Sequence, residues 1–411
     1  MAILTSGILG VLAVLLAGYV LSEDRKAIDL RIVLSTLGLQ AAIAAFALAT
    51  GLGQSVLAVL TAGAQNIISY ADQGIMFVFG DLGDPGKMFV LAFRVLPVIV
   101  FVSSLVAVLY YLRVMQLLIR GIGTALRWVT GVGRLETTSA AANIFIGMVE
   151  SPMTIRPYLT SLTRAQLFCV MSVGLSSVAG SILVGYASLG IDLQYLLPAV
   201  FMSAPGGLLM AKLLIPDAEA PYEPEIAALA KAQYSEEKPV NIIEAAADGA
   251  SVGLKLAANV GAMLVAFVAL VALINGILGG IGGWFGYSDL TLQLILGYLF
   301  APIAFLIGVP WEEAISAGNL LGQKVILNEF LAYVSFSSIQ ETFSPHSQAV
   351  ITFALCGFAN LASMAILMGG LAGMVPGRKS EIAELGFKTV LAGTLSNLMS
   401  AALASIFLTI A

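Results

Sequence analysis

Charge is what this chain lacks. Of its 411 residues only 10% are Asp, Glu, Lys or Arg, against 59% hydrophobic. A water-soluble chain of this length could not cover so much apolar surface, so a soluble globular fold is excluded. Histidine occurs once and cysteine twice, which removes clustered His/Cys metal centres and disulfide scaffolds. Cys169 and Cys356 both fall in apolar runs and read as small packing residues. No His-Glu-x-x-His or paired-cysteine motif is present, so an enzyme is not expected. The first apolar run also lacks a basic leader region and a small-residue cleavage site. Glu23-Asp-Arg-Lys26 follows it instead, which marks a retained span rather than a signal peptide.

What the chain has is hydropathy. Its mean is +0.98, and nearly uncharged runs of spanning length recur throughout. They are Ile3–Leu21, Ile32–Gly51, Phe89–Leu112, Ala165–Ala187, Leu193–Leu214, Ala257–Ile281, Leu292–Val309, Val350–Met374 and Thr389–Ile410. About 20 apolar residues cross a ~30 Å hydrocarbon core. The chain is therefore expected to be an all-α polytopic membrane protein, multi-pass in a bacterial inner (plasma) membrane.

Basic residues set the orientation. Lys and Arg are missing from Ile32 to Gly86, whereas Arg25, Lys26 and Arg31 precede the gap and Arg113, Arg120, Arg127 and Arg134 follow the next span. Cytoplasmic loops carry the basic excess. The first loop, Arg156 and Arg164, the Lys212–Lys255 connection and the Arg378–Lys388 loop are then inside, and both termini outside. The four arginines recur every seven residues. They fit either a basic loop or one face of a helix on the cytoplasmic surface, with Gly121 and Gly123 as interruptions. His346, in Ser344-Pro-His-Ser347, reads as a solvated loop residue.

Two carboxylates stand where charge is expensive. Glu150 lies in Ala140-Ala-Ala-Asn-Ile-Phe-Ile-Gly-Met-Val-Glu-Ser-Pro152, and Glu329 in Val325-Ile-Leu-Asn-Glu-Phe330. A carboxylate at membrane depth costs ~2.5–3.5 kcal/mol on insertion scales, so each is expected buried, facing a protein cavity with something to bind. Parity makes both host segments return to the side they entered from. For Leu292–Val309 with Trp311–Phe336, this leaves either a paired crossing or an interfacial helix followed by a re-entrant hairpin.

An inverted repeat follows, spanning roughly 88–214 and 255–411. The expected organisation is 1–87 as N-terminal spans and an interfacial helix serving as scaffold, then the first repeat with hairpin 1 at 88–214. A solvated acidic linker and interfacial helix follow at 215–254, and the second repeat with hairpin 2 at 255–411. Polar-dotted helices follow each hairpin, Leu175-Ser-Ser-Val-Ala-Gly-Ser181 and Phe358-Ala-Asn-Leu-Ala-Ser363. Inverted repeats with discontinuous helices at mid-membrane mark secondary transporters. Asn143, carbonyls near Ile146 and Gly147, and the hydroxyls of Ser176, Ser177 and Ser181 suit a hard monovalent cation. Glu329, Asn360 and Ser363 suit a polyol, with Phe358 as a stacking face. Back-bonded serines and an interhelical Asn360 are the plainer alternatives.

At these residues the chain resembles the concentrative nucleoside transporter family. The likeness runs through Gly74-Ile-Met-Phe-Val-Phe-Gly80, Phe93-Arg-Val-Leu-Pro-Val-Ile-Val-Phe-Val-Ser-Ser104 and Leu109-Tyr-Tyr-Leu112. It continues through Asn143–Pro152, Val178-Ala-Gly-Ser181, Leu321-Gly-Gln-Lys324, Asn328-Glu-Phe330 and Cys356-Gly-Phe-Ala-Asn360. The resemblance implies eight transmembrane helices plus two re-entrant helical hairpins per subunit, a homotrimer in the lipid bilayer, and cation-coupled nucleoside uptake by an elevator-like movement. No nucleic-acid partner and no cofactor is implied.

Carried over by residue, Glu329, Asn360 and Ser363, with Phe358 beside them, correspond to ribose contacts. Gly147, Met148, Val149, Glu150 and Ile182 correspond to nucleobase contacts. The Asn143 side chain, Ile146 carbonyl, Ser177 hydroxyl and Val178 carbonyl correspond to Na+ ligands. The family's tip reads Gly-Gln-Thr/Ser-Glu where this chain has Gly147-Met-Val-Glu150, so base recognition is expected to be relaxed or shifted. Sodium is the expected coupling ion. Proton coupling through Glu150 is the alternative, and a passive channel the remote one.

Overall fold

The structure, a computed structural model, describes residues 2–84, 87, 90–223, 239–287 and 289–411. All their regular structure is helical. The N-terminal part holds α1 (Ala2–Val20), α2 (Leu30–Ala44, extended by a π-helical turn at Ala45–Ala49) and α3 (Gly51–Phe79). The same succession of elements then occurs twice. The first runs α4 (Leu91–Tyr111), α5 (Val114–Thr130), α6 (Arg134–Asn143) with a returning 3-10 segment at Ser151–Tyr158, the pair α7 (Arg164–Ser176) and α8 (Gly180–Ser188), and α9 (Leu193–Leu214). The second runs α10 (Ile242–Trp284), α11 (Leu292–Leu306), α12 (Trp311–Ile326) returning as α13 (Glu329–Ile339), the pair α14 (Pro345–Leu355) and α15 (Leu361–Met374), and α16 (Lys379–Ile410).

Seven helical stretches are long and apolar enough to cross a membrane, the α7–α8 pair counting as one. The broken pair α14–α15 sits at the matching place in the second repeat and makes the eighth. Each repeat then crosses three times. An odd number forces the second repeat to start on the opposite side, so the repeat is inverted. The open choice for 292–345 turns on length: a paired crossing would need two helices of about 20 residues, and α11 and α12, bent by 116°, have 15 and 16. α11 is therefore the counterpart of α5, and α12–α13 is the second re-entrant hairpin.

Small residues let α10 approach α4. Gly249, Gly253, Ala257 and Gly261 recur every four residues along one face. A Cβ built on Gly253 would fall 2.7 Å from the Val100 Cα, and one on Gly249 2.7 Å from the Ser103 carbonyl oxygen. Ser104 adds a hydrogen bond to the Ala246 carbonyl (2.8 Å). Such close backbone contact replaces the hydrophobic drive that lipid removes. The N-terminal spans pack elsewhere: α1 lies along α16 and α2 along α9, and Gln40 of α2 donates to Ser400 of α16 (2.9 Å).

Charged loops from separate parts of the chain meet on one side of the helices. Glu23 of the first loop pairs with Lys388 (2.7 Å) and Arg164 (3.4 Å), and Arg164 with Glu384 (2.7 Å). Residues that the basic-residue count assigns to one face of the membrane thus meet in space. Burial alone would raise the Glu23 carboxyl, but its bonds to Lys388 and Arg164 outweigh that and hold it below the usual carboxylate range.

Several expectations are corrected. Gly121 and Gly123 do not interrupt α5. Gly123 instead lets it pack on α6, where a Cβ would sit 3.3 Å from the Thr137 carbonyl oxygen. Arg113 caps that helix at φ 64° and Arg134 opens the next, so the four arginines do not share one face. His346 is half-buried in α14 and bonds to Ser405 (3.1 Å), because Pro345 starts the helix earlier than the loop reading allowed. The start of the linker is exposed from 218 to 223 but tied at two points: Asp217 pairs with Lys212 (2.6 Å), and Glu223 accepts from the Arg134 amide (2.8 Å). Residues 224–238 of that linker lie outside the described residues, as does Phe89. The interfacial helix expected before 255 is the extension of α10, whose 43 residues reach ~65 Å at 1.5 Å per residue.

The glycine face yields a direct test. Gly253→Leu should wedge α4 from α10 and lower the melting temperature in detergent by several degrees, since overpacking costs about 1–3 kcal/mol. Gly276→Leu, where a Cβ meets nothing within 4 Å, should leave melting unchanged. Equal melting of both variants would contradict the close-packing role.

Candidate functional site

The site is built where helices stop. α7 ends at Ser176 and α8 starts at Gly180, while α14 ends at Leu355 and α15 starts at Leu361. Backbone groups freed at such breaks need partners, because lipid offers none. The two breaks serve each other: the Phe358 amide donates to the Ser177 carbonyl (3.1 Å). The tip of hairpin 1 closes on the first break, its Phe145 carbonyl accepting from the Gly180 amide (3.2 Å). Only glycine fits at that approach, as a Cβ at 180 would stand 2.9 Å from the Phe145 oxygen. Asn328 and Asn360 cap the starts of α13 and α15, accepting from the Leu331 and Ser363 amides (each 2.7 Å). Their extended backbone and side-chain caps are why the helices restart there.

Glu329 is therefore the first residue of α13, where the helix N-terminus favours its negative charge. It is buried, as the sequence predicted. Tyr186 of α8 donates to Oε1 (3.1 Å) and Asn360 Nδ2 to Oε2 (2.7 Å). Behind it, the Tyr186 ring lies 4.3 Å from Tyr333 and 5.5 Å from Phe330. One carboxylate is thus fixed by residues from both repeats, and its remaining lone pairs are available to a hydroxylated ligand.

In front lies a cavity of about 1020 Å³. Its wall includes Ile146, Gly147, Met148, Val149, Glu150 and Ile182 from the first repeat. The second repeat contributes Glu329, Phe358 and Ser363. The predicted substrate residues therefore converge, with Asn360 behind Glu329. It also reaches Arg113 and Lys255, the side carrying the basic excess.

Glu150 departs from expectation. It is exposed to the cavity rather than buried, because the chain after Asn143 unwinds into turns before Ser151 and turns the side chain outward. Gly147 makes room for it, since a Cβ there would meet a Glu150 carboxylate oxygen at 2.4 Å. Met148 and Val149 occupy glycine notches. Met148 Cβ lies 3.4 Å from where a Gly174 Cβ would be, and Val149 Cγ1 2.6 Å from one on Gly370 of α15. Both apolar side chains dock hairpin 1 onto its neighbours while still lining the cavity.

The predicted cation ligands gather around the first break. Asn143 donates its amide to the Val173 carbonyl (2.7 Å), leaving its oxygen as the acceptor end. Among the described residues, the Ile146 and Val178 carbonyls accept no backbone hydrogen bond. Ser177 lies beyond the end of α7, with its hydroxyl 3.4 Å from the Val178 oxygen. Ser176 follows the plain alternative and back-bonds to Ser172 (2.7 Å). No cluster of three or more His, Cys, Asp or Glu occurs among the described residues, so a cation here would be held by neutral oxygens.

Sequence reasoning missed two residues. Tyr186 had a faint signal, a phenol in an otherwise apolar helix. Asn397 of α16 had another: its Nδ2 donates to the carbonyls of Ser176 (2.7 Å) and Cys356 (2.9 Å), one at each break. Both act across the repeats, which spacing along the chain cannot reveal.

Known proteins share this arrangement. Residues 195–405 match the family described as Na+ dependent nucleoside transporter C-terminus and residues 9–82 its N-terminus, while 92–192 match a segment described as nucleoside recognition. The nucleoside permease NupC of Helicobacter pylori is 47% identical over 412 residues, covering 98% of this chain and 97% of that one. The transporter CNTnw, solved in an inward-facing substrate-bound state, superposes with a TM-score of 0.94 at 48% identity, covering 100% of this chain and 99% of that one. A CNTnw variant solved in an outward-facing state gives 0.95, again at 48% identity and with coverage of 100% and 99%. With the broken helices, the hairpin tips and the carboxylate between them all in place, this membrane protein is a transporter rather than an enzyme, and it belongs to the concentrative nucleoside transporter family.

Proposed function

We propose that this chain couples inward movement of Na+ to nucleoside uptake by an elevator-type alternating-access mechanism, in a bacterial inner membrane with both termini outside. The observation that carries the reading is the Glu329 carboxylate, held by Tyr186 and Asn360 on the wall of a cavity that also receives the hairpin 1 tip. A fixed, twice-bonded carboxylate is preorganised for the vicinal hydroxyls of a ribose, with Asn360 and Ser363 beside it and Phe358 as an apolar face. Relatives described as nucleoside permeases and as Na+ dependent support the substrate class and the ion.

The base side is read as permissive. Met148 and Val149 offer no hydrogen bond, so Gly147, Glu150 and Ile182 carry what selection remains. An apolar pocket discriminates far less than one that must satisfy a polar group. Sodium is assigned to the Asn143 side chain, the Ile146 carbonyl, the Ser177 hydroxyl and the Val178 carbonyl. Proton coupling through Glu150 is the weaker reading, because the two side-chain sodium ligands, Asn143 and Ser177, are both present. A passive pore is weaker still, given the packed Tyr186–Tyr333–Phe330 group behind Glu329.

The packing also moves the dividing line between frame and carrier. Because α1 and α2 seat on α16 and α9, the α4–α10 pair is the better stationary frame, and the N-terminal spans travel with the site. The assembly is taken to be a homotrimer.

Four measurements follow from this site. Glu329→Gln should weaken nucleoside uptake about 10–100-fold in half-saturating concentration, the loss of one charge-assisted hydrogen bond at about 1.5–3 kcal/mol. Tyr186→Phe should lose roughly tenfold by the same reasoning, although Tyr186 touches no substrate; wild-type kinetics in this variant would remove the positioning role. In a competition panel, purine and pyrimidine nucleosides should compete within about tenfold of one another while free bases compete poorly. Narrow selection of uridine and cytidine would overturn the permissive base side. Ser177→Ala should raise half-saturating sodium and leave nucleoside affinity at saturating sodium nearly intact. Uptake indifferent to sodium but abolished by a protonophore would instead establish proton coupling.

A further inference from the structure

Lys324 lies near the end of α12 and is 2% exposed. Its ammonium donates to the Ala354 carbonyl (2.7 Å) and to Oδ1 of Asn397 (2.6 Å). Neither partner is charged. Glu329, five residues on, gives its hydrogen-bonded oxygens to Tyr186 and Asn360 instead. The Lys324 Nζ is thus buried on two neutral oxygens, with no direct bond to a carboxylate. Carbonyl and amide oxygens of this kind are what proteins use to strip water from a monovalent cation.

The inverted repeat indicates what that charge replaces. α7 and α14 both end at mid-protein breaks, and each C-terminus carries the partial negative charge of an aligned helix. Asn397 bridges the two ends, donating to Ser176 at the first and Cys356 at the second. At the first end, the hairpin residue that reaches the helix is the neutral Asn143, bonded to Val173, and the oxygens around it are the ones assigned above to sodium. At the second end, the hairpin residue that reaches the helix is Lys324, bonded to Ala354. In each half a hairpin side chain thus donates to a carbonyl of the broken helix, Val173 in the first and Ala354 in the second, and in the second half that side chain is a lysine.

We propose that Lys324 is a tethered cation. It fills, in the second repeat, the cation site that the first repeat leaves for a diffusible ion, so that one coupling ion serves a site with two negative helix ends. A tethered side chain cannot diffuse away, so the second break keeps its partner throughout the cycle, while the first is occupied only when the ion is bound. The proposal rests on the sodium reading of the first site for the identity of that ion. The second site is defined by Ala354, Asn397 and Lys324 alone.

The test compares wild type, Lys324→Ala and Lys324→Arg, with sodium chloride exchanged for choline chloride at constant ionic strength. The readouts are thermal melting of the purified protein and the sodium dependence of uridine uptake in proteoliposomes. Lys324→Ala opens the oxygen cage, so its melting should become more sodium-dependent than that of wild type, and its sodium activation order should rise from about one towards about two. Lys324→Arg keeps the charge and should keep the wild-type order. Recovery of folded Lys324→Ala in sodium but not in choline would also support the proposal. An unchanged activation order with no added stabilisation by sodium would overturn it, as would loss of the protein in both salts. Wild type that is blind to sodium would refute the coupling-ion reading, whereas sodium stabilisation confined to Lys324→Ala would still support the tethered cation.

Discussion

The whole arrangement depends on one constraint, that a helix broken inside a bilayer must have its freed backbone groups satisfied by protein. Two helices break here, between Ser176 and Gly180 and between Leu355 and Leu361. Much of the polar interior answers to those breaks. Phe145 accepts from Gly180, Phe358 donates to Ser177, Asn360 caps α15, and Asn397 reaches both ends. The site was assembled from the same groups. A chain with unbroken helices would be easier to insert and would offer a ligand only apolar side chains at this depth.

Glycine and asparagine divide the labour. Glycine permits approach, as at Gly180 under the Phe145 carbonyl and at Gly253 against α4. Asparagine closes what approach leaves open, because one side chain both donates and accepts. Asn360 shows the economy: its oxygen caps α15 and its nitrogen holds Glu329. Removing that side chain would disturb a helix start and a ligand contact together, so structure and function are not separable at this residue.

Much of this was legible in the sequence, and the reason differs from case to case. The spans showed through hydropathy, and the inverted repeat through parity, since few charges were available to confuse either. Glu329, Asn360 and Ser363 stood out as polar residues in apolar surroundings. Tyr186 and Asn397 did not, because their roles lie in contacts 143 and 221 residues away along the chain. Glu150 was placed correctly in the hairpin but wrongly in its interior, since an apolar stretch of sequence does not reveal that a turn faces water. Gly121 and Gly123 were read as breaks when Gly123 serves packing, a distinction that depends on whether another helix lies against it.

Asn397 also bears on how the protein comes into being. It belongs to α16, the last of the helices described, yet it donates to carbonyls of α7 and of the α14–α15 break. Helices enter the bilayer in chain order during synthesis. The first break must therefore wait, with its Ser176 carbonyl unanswered, until two hundred further residues have been made and threaded. During that interval the first repeat lacks the partners that the second supplies to its break, the Phe358 amide at Ser177 and Asn397 at Ser176. The order of synthesis thus leaves the coupling between the two halves to be made last.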